Sequence, residues 1–260
     1  MPLKVAVLVK QVPDHEAIVQ IKSELELGIE ERWVCSFFDE IAIETALNIK
    51  KKIPDAEITA LSAGGRRAVD ALRRAMAMGF DNVEQLGDES VDKGDVLHTS
   101  SVLAARLKSL SPDLVLAGKQ ANDDDLAAVG PMVAEILGMP HVSAAISLEV
   151  DAPSSTATIG RSLEGEVWTL KSSLPLLVTA AKGLAEPHIP VVTRVMKAMK
   201  AKIANLPLSE LGLGDVTPAG RIKRIRYTPP PSRPTVVMMK EPFPKNVADL
   251  VAHLQQAGVL

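Results

Sequence analysis

The string Gly118-Lys119-Gln120-Ala121-Asn122-Asp123-Asp124-Asp125 places a lysine, two amides and three successive carboxylates within eight residues. Three adjacent acids could bind a metal, but neighbouring side chains in a loop seldom converge, and no His or Glu follows at helix spacing to complete a ligand set. The simpler chemistry is electrostatic: one acid caps the following helix and the others favour its positive end. Gly118-Lys119 lacks the upstream glycine and the Ser/Thr of a P-loop, and no GxGxxG follows the first apolar run. ATPase and ordinary dinucleotide fingerprints are therefore absent.

A second acidic group, Asp39-Glu40 with Glu44, has the types needed for acid/base work, yet a helix start with a solvated face accounts for it more simply. His15, His98, His141, His188 and His253 are scattered, and none adjoins a Ser or Cys that could serve as an activated nucleophile, which argues against a hydrolase. Arg194, Lys197, Lys200 and Lys202, interleaved with Val195, Met196, Ala198 and Met199, form either a solvated amphipathic helix or a docking surface for an acidic partner. Without aromatic interleaving, single-strand nucleic-acid binding is disfavoured.

The elements that position these residues alternate. Val5 to Val9 is a short β-branched run suited to a strand buried on both faces. An irregular stretch is expected over about 18 to 35. Asp39 to Lys50 has helical periodicity with acids first and lysines last. A strand over 58–62, a helix over Arg66 to Met78 stopped by Gly79, and a strand over 82–86 follow. Helical pattern at Asp95 to Leu110, a strand at 114–117 and a helix from about Leu126 to Leu137 complete an α/β alternation, the signature of an open, mostly parallel sheet with flanking helices. Apolar runs at 144–148, 156–159, 167–170 and 176–179 suggest hairpin additions at one edge. Ligands of such sheets sit beyond the carboxyl ends of the strands, so the segments after Lys10, Ser62 and Gly118 belong together.

Of 260 residues, 47% are hydrophobic, so the chain can bury a sizeable core. Only four Phe, two Trp and one Tyr are present, which disfavours aromatic-rich sugar or nucleic-acid surfaces. A net charge of −3 offers no global field for a polyanion. The lone Cys35 excludes an internal disulfide, and no Cys/His spacing implies zinc. With no run of ~18 apolar residues and no leader pattern before the first strand, a cytoplasmic protein is expected. Beyond residue 186 the texture changes: residues 187–260 contain Pro229, Pro230, Pro231, Pro234, Pro242 and Pro244 and a final helix near Lys245 to Ala257. This arm is expected to wrap a partner, leaving residues 1–186 as the nucleotide-binding α/β domain.

The segment Leu114 to Asp125 closely resembles the adenine-nucleotide-binding segment of the electron transfer flavoprotein β subunit. Further strings resemble that family in the same order: Val9-Lys10 with Val12 to Asp14, Asp39 to Glu44, Ala75-Met76-Ala77-Met78-Gly79, Leu174 to Thr179, Glu186-Pro187, and Val195-Met196-Lys197-Ala198. The resemblance covers essentially the whole chain. It implies an adenine-nucleotide α-hydrolase-like sheet and a heterodimer whose α subunit holds most of the FAD. This chain would carry a buried AMP, and electrons would pass from flavin dehydrogenases to a quinone oxidoreductase or another acceptor. By position it assigns to the nucleotide pocket Leu8, Ser36, Phe37, Phe38, Asp39, Ala63, Ala121, Asn122, Asp123, Asp124, Asp125, Leu126, Ala127, Ala128, Val129, Gly130, Pro131 and Met132. His15 falls near the flavin ring. Ile189, Pro190, Val191, Val192, Thr193, Arg194, Val195, Met196 and Lys197 fall on the dehydrogenase recognition loop, with Val192 at the place of an anchoring leucine.

The chain departs from the family pattern at several points. Ser36-Phe37-Phe38 replaces an Asn-Pro-aromatic string, and Ala127, Ala128 and Val129 replace amide and hydroxyl side chains. Hydrogen bonds to a charged phosphate contribute about 1.5 to 3 kcal/mol each, so the nucleotide needs backbone amides in their place. Trp168 stands where an acid or amide is usual, and Val192 is a smaller anchor by one methylene, worth about 0.8 kcal/mol. Two alternatives stay open: a bifurcating, NADH-oxidising relative with a second FAD in the pocket, which Gly130-Pro131 resembles, and a stand-alone adenine-nucleotide sensor.

Overall fold

The computed structural model describes residues 2–213, 222 and 225–260. Its frame is a nine-stranded sheet. Taken in chain order, the strands of that sheet and their helices are β1 (Lys4–Leu8), α1 (Phe37–Lys52), β6 (Glu57–Ala63), α2 (Arg66–Met78), β7 (Asn82–Leu86), α3 (Val96–Leu110), β8 (Leu114–Gly118) and α4 (Val129–Leu137), followed by β9 (His141–Asp151), β10 (Thr156–Leu163), β11 (Glu166–Ser173), β12 (Leu176–Ala180), α5 (Val192–Lys200) and β13 (Ala204–Leu206). Between β1 and α1 lie the short strands β2 (Gln11–Pro13), β3 (Val19–Ser23), β4 (Glu26–Ile29) and β5 (Trp33–Cys35). A last helix, α6 (Lys245–Gln256), closes the chain.

The sheet order is β11-β10-β9-β12-β8-β1-β6-β7-β13. β1 pairs in parallel with β6 on one side and β8 on the other, Leu8 opposite Leu61 and Val7 opposite Leu116. The chain thus builds outward to β7, then returns across β1 to β8. The reversal makes a crevice at the carboxyl ends of β1 and β8.

Side-chain alternation along β1 explains the layers. Val5 and Val7 join Ile41, Leu72, Leu114 and Leu116 under α1 and α2, whereas Ala6 and Leu8 join Leu61, Val102, Val115 and Val133 under α3 and α4. Both faces being covered, β1 and β8 need apolar residues at nearly every position. The helix signals act as expected: Asp39 and Glu40 open α1 and Lys50 to Lys52 close it, while Gly79 at φ 140° ends α2 and returns its N–H to Ala75 and Met76.

Four expectations are corrected. The stretch 18–35 is not irregular: β3 and β4 form a hairpin and β5 pairs with β2. Leu176 to Thr179 is not an edge hairpin but the core of β12, fully buried between β8 and β9, with only β9, β10 and β11 forming the antiparallel edge. Its unbroken apolar run belongs to a central parallel strand. Asp39 and Glu44 are buried rather than solvated. Finally, α4 starts at Val129 and not near Leu126, because Asp125 and Ala127 take left-handed φ values of 50° and 51°, which no helix continues.

The segment after residue 186 begins against the sheet domain: α5 packs on α2, and β13 extends the sheet beside β7. Of the proline-rich arm, 214–221, 223 and 224 lie outside the described residues.

Candidate nucleotide and docking sites

Asp39, in the first turn of α1, organises the carboxyl edge. Its Oδ2 accepts the Lys10 backbone N–H at 2.8 Å and its Oδ1 accepts the Gly118 N–H at 3.0 Å, so one carboxylate ties the ends of β1 and β8 to α1. Burial pushes its pKa up to about 7 against the pull of those two amides. Gly118 allows the approach. A Cβ there would collide with the Asp39 carboxylate and stand 3.0 Å from the Asp39 nitrogen.

The loop beyond Gly118 folds back over this corner. Lys10 Nζ reaches Asp123 Oδ1 at 2.7 Å and Asp124 Oδ2 at 3.3 Å. Partial burial lowers the ammonium pKa, and the two carboxylates more than offset it, leaving the net value raised. Gln120 Nε2 donates to Asp125 Oδ1 at 2.6 Å, and Ser36 Oγ to Asn122 Oδ1 at 3.3 Å. The acids therefore lock the loop; among the described residues no cluster of three or more His, Cys, Asp or Glu is placed to hold a metal. The expected capping role is corrected too: the N-cap of α4 is Ala128, which has no side-chain cap to offer, and Asp124 Oδ1 instead accepts the Leu126 N–H at 3.1 Å.

On the α3/α4 side, Leu8, Ala63, Ala117 and Val129 share one apolar cluster at this edge. Gly130 lets α4 settle there, since a Cβ would stand 2.9 Å from Thr179 Cγ2. Of the pocket positions taken from the sequence, Leu8, Ala63 and Val129 share this cluster, Ser36 reaches Asn122, and Asp39 ties β1 and β8 to α1. The first turn of α4 has no side-chain cap: the Val129 and Gly130 amides have no partner inside the helix, and Pro131 has no N–H. Cys35 is buried, and burial pushes its thiol pKa well up, which keeps it in the thiol form.

His15 stands on the β2–β3 connection, exposed, with Nδ1 3.3 Å from Asp14 Oδ1. Residues 189–197 form a separate surface. Ile189 is 90% exposed and Val192, the first residue of α5, 73%; Val191, Met196 and Met199 are also exposed, while Ala198 is buried. This segment is held by a contact that spacing did not reveal. Glu44, buried in α1, receives His188 Nδ1 at 2.5 Å and the His188 N–H at 3.4 Å. Sequence reasoning also missed Lys10 as the counter-ion of the acidic loop. A lysine immediately after a buried strand, opposite a triple-acid loop, was the available signal.

The family model described as electron transfer flavoprotein domain matches residues 29–211. Among curated proteins, the chain is 34% identical over 238 residues to the electron transfer flavoprotein subunit beta of Bacillus subtilis, covering 91% of each chain. It is 34% identical over 242 residues to that of Megasphaera elsdenii, covering 88% of each. To the mitochondrial subunit beta of Arabidopsis thaliana it is 32% identical over 249 residues, covering 91% of this chain and 93% of the relative. The chain belongs to the electron transfer flavoprotein family, as a β subunit. The crevice between β1 and β8 and the exposed 189–199 surface are therefore features of an electron-transfer subunit. Among the described residues, no helix is long and apolar enough to cross a membrane.

Proposed function

We propose that this chain is the β half of a heterodimer with an electron transfer flavoprotein α subunit, a carrier of electrons and not a catalyst on substrate. The observation that supports it best is the uncovered arm beyond residue 224. Val236, Val237, Met238 and Phe243 are exposed, Phe243 at 80%, and no residue of α6 is buried. Apolar surface of this extent on an extended arm calls for a partner to lie on.

In this reading the α subunit holds most of the FAD, and this chain lends His15, open beside Asp14, to the flavin's surroundings. AMP occupies the crevice of Leu8, Ala63 and 121–132. The residues fit an adenine nucleotide despite the apolar Ala127, Ala128 and Val129, because α4 presents an uncapped N-terminus where amide donors and the helix dipole favour a phosphate. Bound there, AMP would serve structure and carry no electrons. Residues 189–197 dock flavin dehydrogenases, acyl-CoA dehydrogenases among them, and a quinone oxidoreductase or similar acceptor takes the electrons on, in the cytoplasm. Such contacts must be small and transient for the carrier to turn over.

Co-expression with an α subunit, purification, and measurement of the FAD and AMP released on denaturation test this. One FAD and one AMP per heterodimer is the expected result. Two FAD would replace the reading with a bifurcating, NADH-oxidising flavoprotein, and a flavin-free monomer would replace it with an adenine-nucleotide sensor.

A further inference from the structure

α5 carries two thioethers on its solvent face. Val192, Met196 and Met199 stand at i, i+4 and i+7, which places all three on one side of the helix. They are 73%, 55% and 68% exposed, whereas Ala198 on the inner side is buried. Among the described methionines only Met196, Met199 and Met238 are exposed, and Met238 lies on the arm that the α subunit covers in the heterodimer reading. Met78 is buried in the core, and Met76, Met132, Met139 and Met239 are partly buried. In the assembled carrier, the thioethers of this chain that a small oxidant reaches first are therefore the two on the docking side of α5.

The fold keeps them turned outward. α5 packs on α2, and Arg194 reaches the end of that helix, where a Cβ at Gly79 would stand 3.0 Å from the guanidinium. The Arg194 and Val195 N–H groups both return to the Val191 carbonyl, at 3.0 and 3.2 Å, and His188 is tied to Glu44 just before the segment. An unbranched thioether adapts to differently shaped partners, which suits a face that meets more than one protein in turn. The same sulfur takes up one oxygen reversibly and becomes polar.

We propose that Met196 and Met199 form an oxidation site through which hydrogen peroxide switches the docking face off. The inference rests on the reading of 189–197 as the dehydrogenase-docking segment, which α5 continues to Met199. In each event a thioether sulfur attacks one peroxide oxygen with a lone pair, and the O–O bond breaks as the S–O bond forms. The departing hydroxide takes the proton of the transferred oxygen and leaves as water. Sulfur loses two electrons and the peroxide gains them, so each methionine consumes one peroxide. The sulfoxide oxygen demands hydrogen bonds that an apolar contact does not supply, and a docked complex would bury it unpaired. Oxidation thus leaves the sheet domain intact and removes the partner from its face.

The test uses the heterodimer with its α subunit. Graded hydrogen peroxide is followed by peptide mass spectrometry at each methionine, by FAD content, and by stopped-flow reduction with the cognate flavin dehydrogenase. Met196 and Met199 are expected to gain one oxygen each before the partly buried methionines do. The reduction rate is expected to fall about tenfold or more in step with that gain while FAD content holds, and methionine sulfoxide reductase should restore it. The double variant Met196→Leu/Met199→Leu is compared with its own untreated form, and peroxide should leave its rate where it was. A rate loss of wild-type size in that variant would overturn the inference and place the sensitive group elsewhere in the complex. Should the double variant misfold, the wild type decides: full oxidation at both positions with an undiminished rate, or a loss that the reductase does not reverse, overturns the inference. Untreated Val192→Asp separates the two levels. If it is reduced as fast as wild type, the docking reading itself fails; if it is slow while peroxide has no effect on wild type, only the oxidation site fails.

Discussion

At the scale of single residues, Asp39 is the control point of the carboxyl edge. Its pKa is raised to about 7 by burial, against an ordinary 3.8, so the folded chain holds a proton that the unfolded chain has released across that interval. The sign follows: the contribution of Asp39 to stability is fully present below about pH 4 and is lost as pH rises through about 7. Asn at this position cannot ionise, but its amide would point a donor at one of the two N–H groups it should accept. Asp39→Asn is therefore expected to be less stable than wild type at pH 5, with the gap narrowing towards pH 8. Urea midpoints across that range check it, and a gap independent of pH would count against a titrating Asp39. Val192 supports a different prediction. It is exposed at the start of α5, where an acid suits the helix dipole, so Val192→Asp should fold normally. Stopped-flow reduction by the cognate dehydrogenase should slow at least tenfold with FAD content unchanged, and an equal rate would remove Val192 from the docking surface. Few of these roles were legible in the sequence. The motif of 118–125 marked a loop at the carboxyl edge, but the side of the fold its acids face depended on Lys10, more than a hundred residues away.

At the scale of elements, α1 joins the two candidate surfaces. Asp39 at its start fixes the carboxyl edge, and Glu44, just over one turn on, anchors His188 just before the exposed segment 189–197. Glu44 is also 3.6 Å from Lys51, so the helix keeps its buried carboxylate paired from two sides. His188→Ala would leave that carboxylate with fewer donors and untie residues 187–191 from α1. Because His188 is half-exposed, the expected loss is about 1 kcal/mol. The more telling readout is limited proteolysis, which should cleave near 187–191 several-fold faster in the variant; unchanged cleavage would mean that α5 packing on α2 holds the segment by itself. The elements themselves were mostly readable. α2 and β7 have the bounds that periodicity and Gly79 set, and β1, β6 and β8 agree within a residue or two. β12 misled because a short apolar run separated by turn residues looks alike in an edge hairpin and in a central parallel strand, and only tertiary pairing decides between them. The β3–β4 hairpin was legible and overlooked: Val19, Ile21, Leu27 and Ile29 alternate with polar residues or glycine, and the structure pairs Val19 with Ile29 and Ile21 with Leu27.

At the scale of the whole molecule, the chain divides by how its surfaces are satisfied. Residues 2–206 close a nine-stranded sheet with helices on both faces, and its two apolar clusters are complete within that span apart from Leu208, Leu211 and Leu213, which pack against the second. The described arm beyond 224 adds no strand to that sheet. One backbone bond, from the Tyr227 N–H to the Glu24 carbonyl at 2.7 Å, lays it against the β3–β4 hairpin, and its apolar side chains point mostly to solvent. An arm with so little buried area cannot repay the entropy of ordering itself, whereas covering it by a second subunit would. Ending the chain after Leu213 should then leave the sheet domain folded, with a thermal midpoint within a few degrees of the full-length chain measured alone. Co-expressed with the α subunit, the same truncation should fail to co-purify, and flavin yield should fall with it. Recovery of a flavin-loaded heterodimer at full yield would show that the α subunit grips the sheet domain instead, and would move the interface to the carboxyl edge and the 189–199 surface.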